Sequence, residues 1–285
     1  MNTSGPAFEF VQQLAGSLGS GEIDLPAFPD VVGRLQATLA DEEAGVREVV
    51  GVISSEPVLT ARLLKMANSA AMNPAGREIN NINGAVTRLG FNLVRGTAAA
   101  YAINQMSREQ ELAPIRKDLE VIWRASNEVA AICYVVAKRV FGRQPDEAML
   151  AGLLHQIGRL YILTHTLQAD PGLRDDPDYT AVLESWQAPI GAAILSAWGL
   201  PERIGDAVAN QNDLLGEEIE ELQPLPKLLS AAILRNRLSS DPLVRQSYPD
   251  ADERMQTVNF GEKNFLDLVA ASQGDIAVMQ QALAA

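Results

Sequence analysis

The sequence predicts an all-α protein: two packed helical bundles followed by a C-terminal helical extension. Three observations predict it. Apolar residues recur at spacings of three and four along almost the whole chain, which is the signature of helices with one buried face. Sustained two-residue alternation of the strand type is absent. Serine, proline and glycine fall where helices would start and stop. With 47% hydrophobic but only 5% aromatic residues, the core is expected to be aliphatic, and stacking on nucleobases is not a theme.

The first bundle is expected over residues 1–115. Residues 1–20 read as a leading helix and 19–29 as a loop. Ser54-Ser55-Glu56-Pro57 offers a cap serine with proline in the first turn, where a missing N–H costs nothing. Leu59, Leu63, Met66 and Ala67 then make one apolar stripe. Asn68 and Ser69 end it with side chains suited to capping or turn hydrogen bonds. Residues 71–81 read as a loop. Ile82, Ala85, Val86 and Leu89 form the next stripe, and Gly90 breaks it into a further helix.

The second bundle is expected over residues 116–236. Leu119, Ile122, Ser126, Val129, Cys133, Val136 and Val140 lie on one face of a long helix. Residues 146–163 carry Met149, Leu150, Leu153, Leu154, Ile157, Leu160 and Tyr161. That wider apolar face predicts one central, largely buried helix. Loops are expected at 168–178 and 239–261. Trp198-Gly199-Leu200-Pro201-Glu202 stops one helix at glycine and starts another at proline, and Leu225-Pro226-Lys227 marks a further start. Residues 237–285 form a loop and closing helices that carry Phe265, Leu268, Val269, Ile276, Met279 and Leu283.

Charge narrows the range of partners. The chain carries a net charge of −13, and no segment is basic. Binding to a phosphate backbone needs clustered Lys and Arg, so nucleic acid is not an expected partner, and an anionic membrane surface is disfavoured on the same ground. The glycine turn between the helices of residues 80–96 also suggests helix-turn-helix DNA binding, with Arg88 and Arg95 as the contacts. The acidic surroundings favour a packed hairpin with two solvated arginines instead. Cys133 is the one cysteine, so no intrachain disulfide forms, and its apolar neighbours predict a core thiol. The N-terminus lacks a basic stretch followed by an apolar run, and no apolar stretch approaches the roughly 20 residues that span a bilayer. The expected location is the cytoplasm.

Three passages resemble the HDOD family, bacterial relatives of the HD superfamily of metal-dependent phosphohydrolases. Residues 54–69 resemble the family's helix that opens on serine, acid and proline and ends in Ala-Asn-Ser, here with Pro57, Asn68 and Ser69. Residues 84–96 resemble its Arg-Leu-Gly turn, here Arg88, Leu89 and Gly90. Residues 150–160 resemble its Gly-Leu-Leu-His-Asp-Ile-Gly motif, ending here at Gly158. Trp198 and Pro201 fit a further signature, and the match spans about residues 20–236.

The resemblance implies a position for each metal ligand of the parent superfamily, which uses a histidine, an adjacent His-Asp pair and a distant Asp. His155 stands at the histidine of the pair, and Gln156 stands where the aspartate belongs. Ala125 falls where the first histidine would be. Gln187, and Gln211 with Asn212, replace histidines found in some relatives. A neutral amide is a weak ligand and offsets none of a metal's charge. The whole chain has two histidines, His155 and His165, ten residues apart and on different faces of a continuous helix. His155 is read first as a core histidine satisfied by a carbonyl or a neighbouring side chain. The other readings are a vestigial ligand or a polar group in a small-molecule pocket. His165 is read as a surface or cap residue. No Gly-x-Ser-x-Gly elbow or phosphate-binding glycine loop is present.

No catalytic residue, metal ligand or cofactor is therefore expected. The resemblance implies a non-enzymatic regulator in bacterial signal transduction. It would act through protein–protein interaction with signalling proteins, including receiver or cyclic-dinucleotide pathway components. The alternative is a residual phosphohydrolase acting on nucleotides or cyclic dinucleotides.

Overall fold

The computed structural model describes residues 5–18, 30–41, 43–142, 144–212, 223–240 and 248–284, together with 244 and 246. The expected loop at 19–29 and part of that at 239–261 lie outside the described residues. Among the described residues the fold is all-helical apart from one two-stranded ribbon.

In the N-terminal half the helices are α1 (Pro6–Leu18), α2 (Asp30–Ala40), α3 (Val46–Ile53), α4 (Pro57–Ala67) and α5 (Ile82–Met106). Pro57 opens α4, and Asn68 closes it. The Asn68 amide donates to the carbonyls of Leu64 and Ile79 at 3.1 and 2.6 Å, and its Oδ1 accepts from Ile79 N–H at 2.8 Å. One side chain thus caps a helix and fixes the start of the next segment. Ser69 Oγ adds a bond to the Met66 carbonyl at 2.7 Å. Asn81 caps α5 by accepting from Gly84 N–H at 2.8 Å. Gly90, at φ +75°, kinks α5 into two helical stretches. A side chain would strain that backbone, so glycine is the residue suited to the turn.

In the second half come α6 (Arg116–Val140), α7 (Pro145–Leu154), α8 (Ile157–Ala169), α9 (Tyr179–Ala197), α10 (Glu202–Ala209) and α11 (Pro224–Ser240). Asp118 in the first turn of α6 and Lys138 and Arg139 in its last complement the helix dipole. Single 3₁₀ turns precede α6 at Ala113–Ile115 and follow α8 at Pro171–Asp175, the latter inside the expected 168–178 loop. The chain closes with α12 (Ala251–Thr257), the antiparallel strands β1 (Asn259–Phe260) and β2 (Lys263–Asn264), α13 (Phe265–Ala270) and α14 (Gln273–Ala284).

The single helix expected over 146–163 is two. The chain breaks at His155–Gln156, between α7 and α8. The cause is tertiary. A Cβ on Gly158 would lie 2.0 Å from the Gln187 carbonyl oxygen and 2.5 Å from Gly191 N, so α8 presses its backbone against α9. A straight continuation of α7 would forgo that packing. A similar approach seats α7 on α6, where a Cβ on Gly152 would lie 2.5 Å from Ala130 Cα.

One contiguous hydrophobic core runs through both halves and the C-terminal helices. The leading helix α1 packs on α9: Ala7 N–H donates to Asp176 at 3.3 Å, and Phe8 meets Trp186 edge-on at 6.0 Å. Helix α14 packs on α6 and α4. Arg95, expected to be solvated, is buried instead. It donates to the carbonyls of Trp198 at 2.9 Å and Leu39 at 3.2 Å, tying α5 to the ends of α9 and α2. Arg88 donates to the Met72 carbonyl and to Asn73 Oδ1 and so holds the 71–77 loop. Both arginines serve internal structure. No helix of the described residues is long and apolar enough to cross a membrane.

Candidate functional site

The break between α7 and α8 places His155 and Gln156 at the wall of a cleft of about 230 Å³. Helix α6 contributes Ala125, α9 contributes Gln187, and the residues after α10 contribute Gln211 and Asn212. The structure therefore brings all six sequence-singled positions to one cavity. His165 lies on α8 away from the cleft lining, half-buried, with its ring centroid 4.3 Å from that of Tyr161. Leu89 is core, Trp198 caps the end of α9, and Pro201 precedes α10.

His155 is 2% exposed. Its Nδ1 lies 2.7 Å from the Gly152 carbonyl oxygen, which can only accept, so Nδ1 carries the proton. Nε2 of the neutral ring then presents a lone pair. The group against it, at 3.2 Å, is the Gln156 amide nitrogen, which donates. Burial pushes the His155 pKa down from 6.5 to about 4, with the Gly152 bond opposing the shift, so the ring is neutral near pH 7. The carbonyl it satisfies belongs to the last turn of α7, one of the orphan acceptors at a helix C-terminus.

Charged groups that sequence reasoning did not single out complete the walls: Asp118, Arg159, Glu184 and Arg237. Arg159 Nη1 pairs with Glu184 at 2.6 Å, and Arg237 Nη1 approaches the other Glu184 oxygen at 3.7 Å. Gln187 Nε2 donates to Glu184 at 3.2 Å. Asp118 pairs with Arg174 at 2.7 Å. Arg159 stands four residues after His155 and was within reach of the motif; the others arrive from distant helices and left no local signal.

This donor set does not fit a divalent metal. The only histidine lining the cleft has one ring nitrogen on a carbonyl and the other on an amide. Both carboxylates among the described lining residues are neutralised by arginine, and Ala125 offers no ligand atom. Among the described residues no group of three or more His, Cys, Asp or Glu could hold a metal ion.

The HDOD domain matches residues 25–214, two-thirds of the chain. The chain belongs to the HDOD family. A protein of Treponema pallidum (strain Nichols), named only as uncharacterized, is 26% identical to this HDOD chain over 231 residues. That match covers 75% of the chain but 42% of the relative, so the chain spans less than half of that relative's length. Among solved structures, a Shewanella amazonensis SB2B protein whose name carries the words "metal-dependent phosphohydrolase" superposes with a TM-score of 0.65 at 24% identity. It covers 97% of this chain and 99% of its own. An HDOD domain protein of unknown function from Geobacter sulfurreducens gives 0.53 at 23% identity, covering 96% and 97%. A Marinobacter aquaeolei VT8 protein named for signal transduction gives 0.50 at 19% identity, covering 100% and 68%. At these identities the likeness is one of fold.

Proposed function

We propose that this HDOD chain is a non-enzymatic regulatory module of bacterial signal transduction, working in the cytoplasm through protein–protein interaction. The observation that carries the reading is the Gln156 amide bonded to Nε2 of His155, at the position where the parent superfamily would present a His-Asp pair to a metal. An amide in place of the carboxylate supplies no charge to a metal and occupies the imidazole lone pair instead. The six positions derived from the resemblance are, on this reading, a degenerate HD site. The net charge of −13 suits partners with basic patches. Membership of the HDOD family and the likeness to a protein named for signal transduction support a signalling context. Receiver or cyclic-dinucleotide components are the class of partner proposed within it.

The rival reading is a residual phosphohydrolase, suggested by the name of the Shewanella structure. Incubation with Mn²⁺, Mg²⁺ and Zn²⁺, followed by metal analysis and assay against bis(p-nitrophenyl) phosphate, separates the two. The expected result is no stoichiometric metal and no turnover. Stoichiometric metal together with turnover that His155→Ala abolishes would overturn the regulatory reading. A pull-down from the native organism, repeated at raised salt and with a charge-reversed surface, tests the interaction itself: retention of a signalling protein that both treatments release is expected.

A further inference from the structure

The cleft beside His155 has features that the loss of a metal site does not account for. Gln211 is 4% exposed, lines the cleft, and its Nε2 has no hydrogen-bond partner. A buried N–H without an acceptor is costly and uncommon in folded proteins. Asn236 is 8% exposed and lines the same cavity. With Gln156, Gln187 and Asn212, the walls present five carboxamide side chains, each carrying both donors and an acceptor.

The charges do not close on themselves either. Arg159 and Arg237 share the single carboxylate of Glu184, and Arg237 reaches it only at 3.7 Å, beyond hydrogen-bond length. Asp118, the other acidic group among the described lining residues, is held by Arg174. Among the described residues, two guanidinium groups against one carboxylate leave a positive excess at this wall, in a chain whose net charge is −13. A guanidinium with unused, forked N–H groups is suited to carboxylate or phosphate.

We propose that the cleft binds a small metabolite carrying one oxyanion group, a carboxylate or a phosphate monoester, on a hydroxyl-rich body. Arg237 and Arg159 take the oxyanion, and Gln211 donates to an oxygen of the same molecule. The remaining amides hydrogen-bond its hydroxyls. About 230 Å³ suits a molecule of a few carbons, and a polar lining of this kind disfavours an apolar one. Such a ligand would bridge the chain after α10 to α11, and as an input signal it deepens the regulatory reading. Only its role as a signal rests on that reading; binding does not.

The test is isothermal titration of the full chain at low ionic strength with inorganic phosphate, ribose 5-phosphate and glycerate in separate arms. Saturable one-to-one binding of ribose 5-phosphate or glycerate is expected, and the arm that responds assigns the oxyanion. Arg237→Met and Gln211→Leu should each weaken it by about tenfold or more, while Arg139→Met, outside the cleft, should bind as wild type does. Gln211→Leu should also leave thermal stability without ligand undiminished, because it removes an unpaired donor. Absence of saturation in every arm up to about 10 mM would overturn the proposal, as would binding that both cleft variants leave unchanged. The first result leaves the regulatory reading standing. Turnover of a bound phosphate ester would instead sink the non-enzymatic reading and keep the site.

Discussion

The Gln156 amide donates to Nε2 of His155 across 3.2 Å, and Nδ1 of the same ring donates to the Gly152 carbonyl at 2.7 Å. Both nitrogens of a buried imidazole are thereby satisfied in the neutral state. Protonating the ring would turn an accepted hydrogen bond into a clash of two donors, inside a wall that offers the cation little water.

Stability should therefore fall as pH drops from 6.5 towards 4. The folded pKa of His155 is lowered to about 4, below the 6.5 of the unfolded chain. Between those values the unfolded state binds the proton and the folded state does not, so stability rises with pH through this window and is flat with respect to this group on either side. The full contribution is about 3 kcal/mol, because each tenfold difference in proton affinity between the two states is worth about 1.4 kcal/mol. Urea denaturation of wild type and His155→Gln at pH 7, 5.5 and 4.5 reads it. The stability gap between the two proteins should narrow as pH falls, and a gap independent of pH would refute the assignment.

Gly158→Ala should be severely destabilising. Its Cβ would sit 2.0 Å from the Gln187 oxygen and 2.5 Å from Gly191 N, both backbone atoms that cannot rotate away. Helices α8 and α9 would have to separate, at a cost of about 3 kcal/mol or more. Gly51→Ala is the matched control, since Gly51 lies inside α3 with nothing within 4 Å of the new methyl. It should stabilise by about 0.5–1 kcal/mol through helix propensity. Thermal unfolding should move in opposite directions for the two variants.

The same glycine explains why part of the fold was hidden in the sequence. The apolar stripe runs unbroken from Met149 to Tyr161, so periodicity alone reads one helix. The break at His155–Gln156 is imposed by α9, an element that periodicity cannot see. Asn68 was legible because capping is local chemistry: its partners lie on the helix it ends and on the segment that follows. The six cleft positions could be named from the motif, but Glu184 and Arg237 could not. Each is an ordinary charged residue on a helix face until the packing of α8, α9 and α11 brings them together. Helix α1 buries Ala7, Val11, Leu14 and Leu18, and nothing local to residues 1–20 says that α9 packs against it.

Cys133 should resist thiol reagents in the folded protein. It is fully buried, and burial pushes its pKa far above the ordinary thiol range, so almost no thiolate is present at neutral pH. Ellman's reagent should titrate about one thiol per chain in denaturant and essentially none in native buffer within the same minutes. Rapid labelling of the native protein would show that the α6 core opens readily.

Arg95→Met should loosen the junction between the two halves of the molecule. Arg95 donates to the Trp198 carbonyl at the end of α9 and the Leu39 carbonyl in the last turn of α2. Both acceptors carry the negative end of a helix dipole, which favours a cation there. Methionine keeps the volume of the stem but leaves two carbonyls without their donor, so the expected cost is about 2–4 kcal/mol. Arg95→Lys should recover only part of it, because one ammonium cannot reproduce a planar fork reaching two carbonyls. A urea midpoint lowered in the order wild type, Lys, Met checks the argument. A Met variant within about 0.5 kcal/mol of wild type would mean that these bonds are replaced by water and do not hold the halves together.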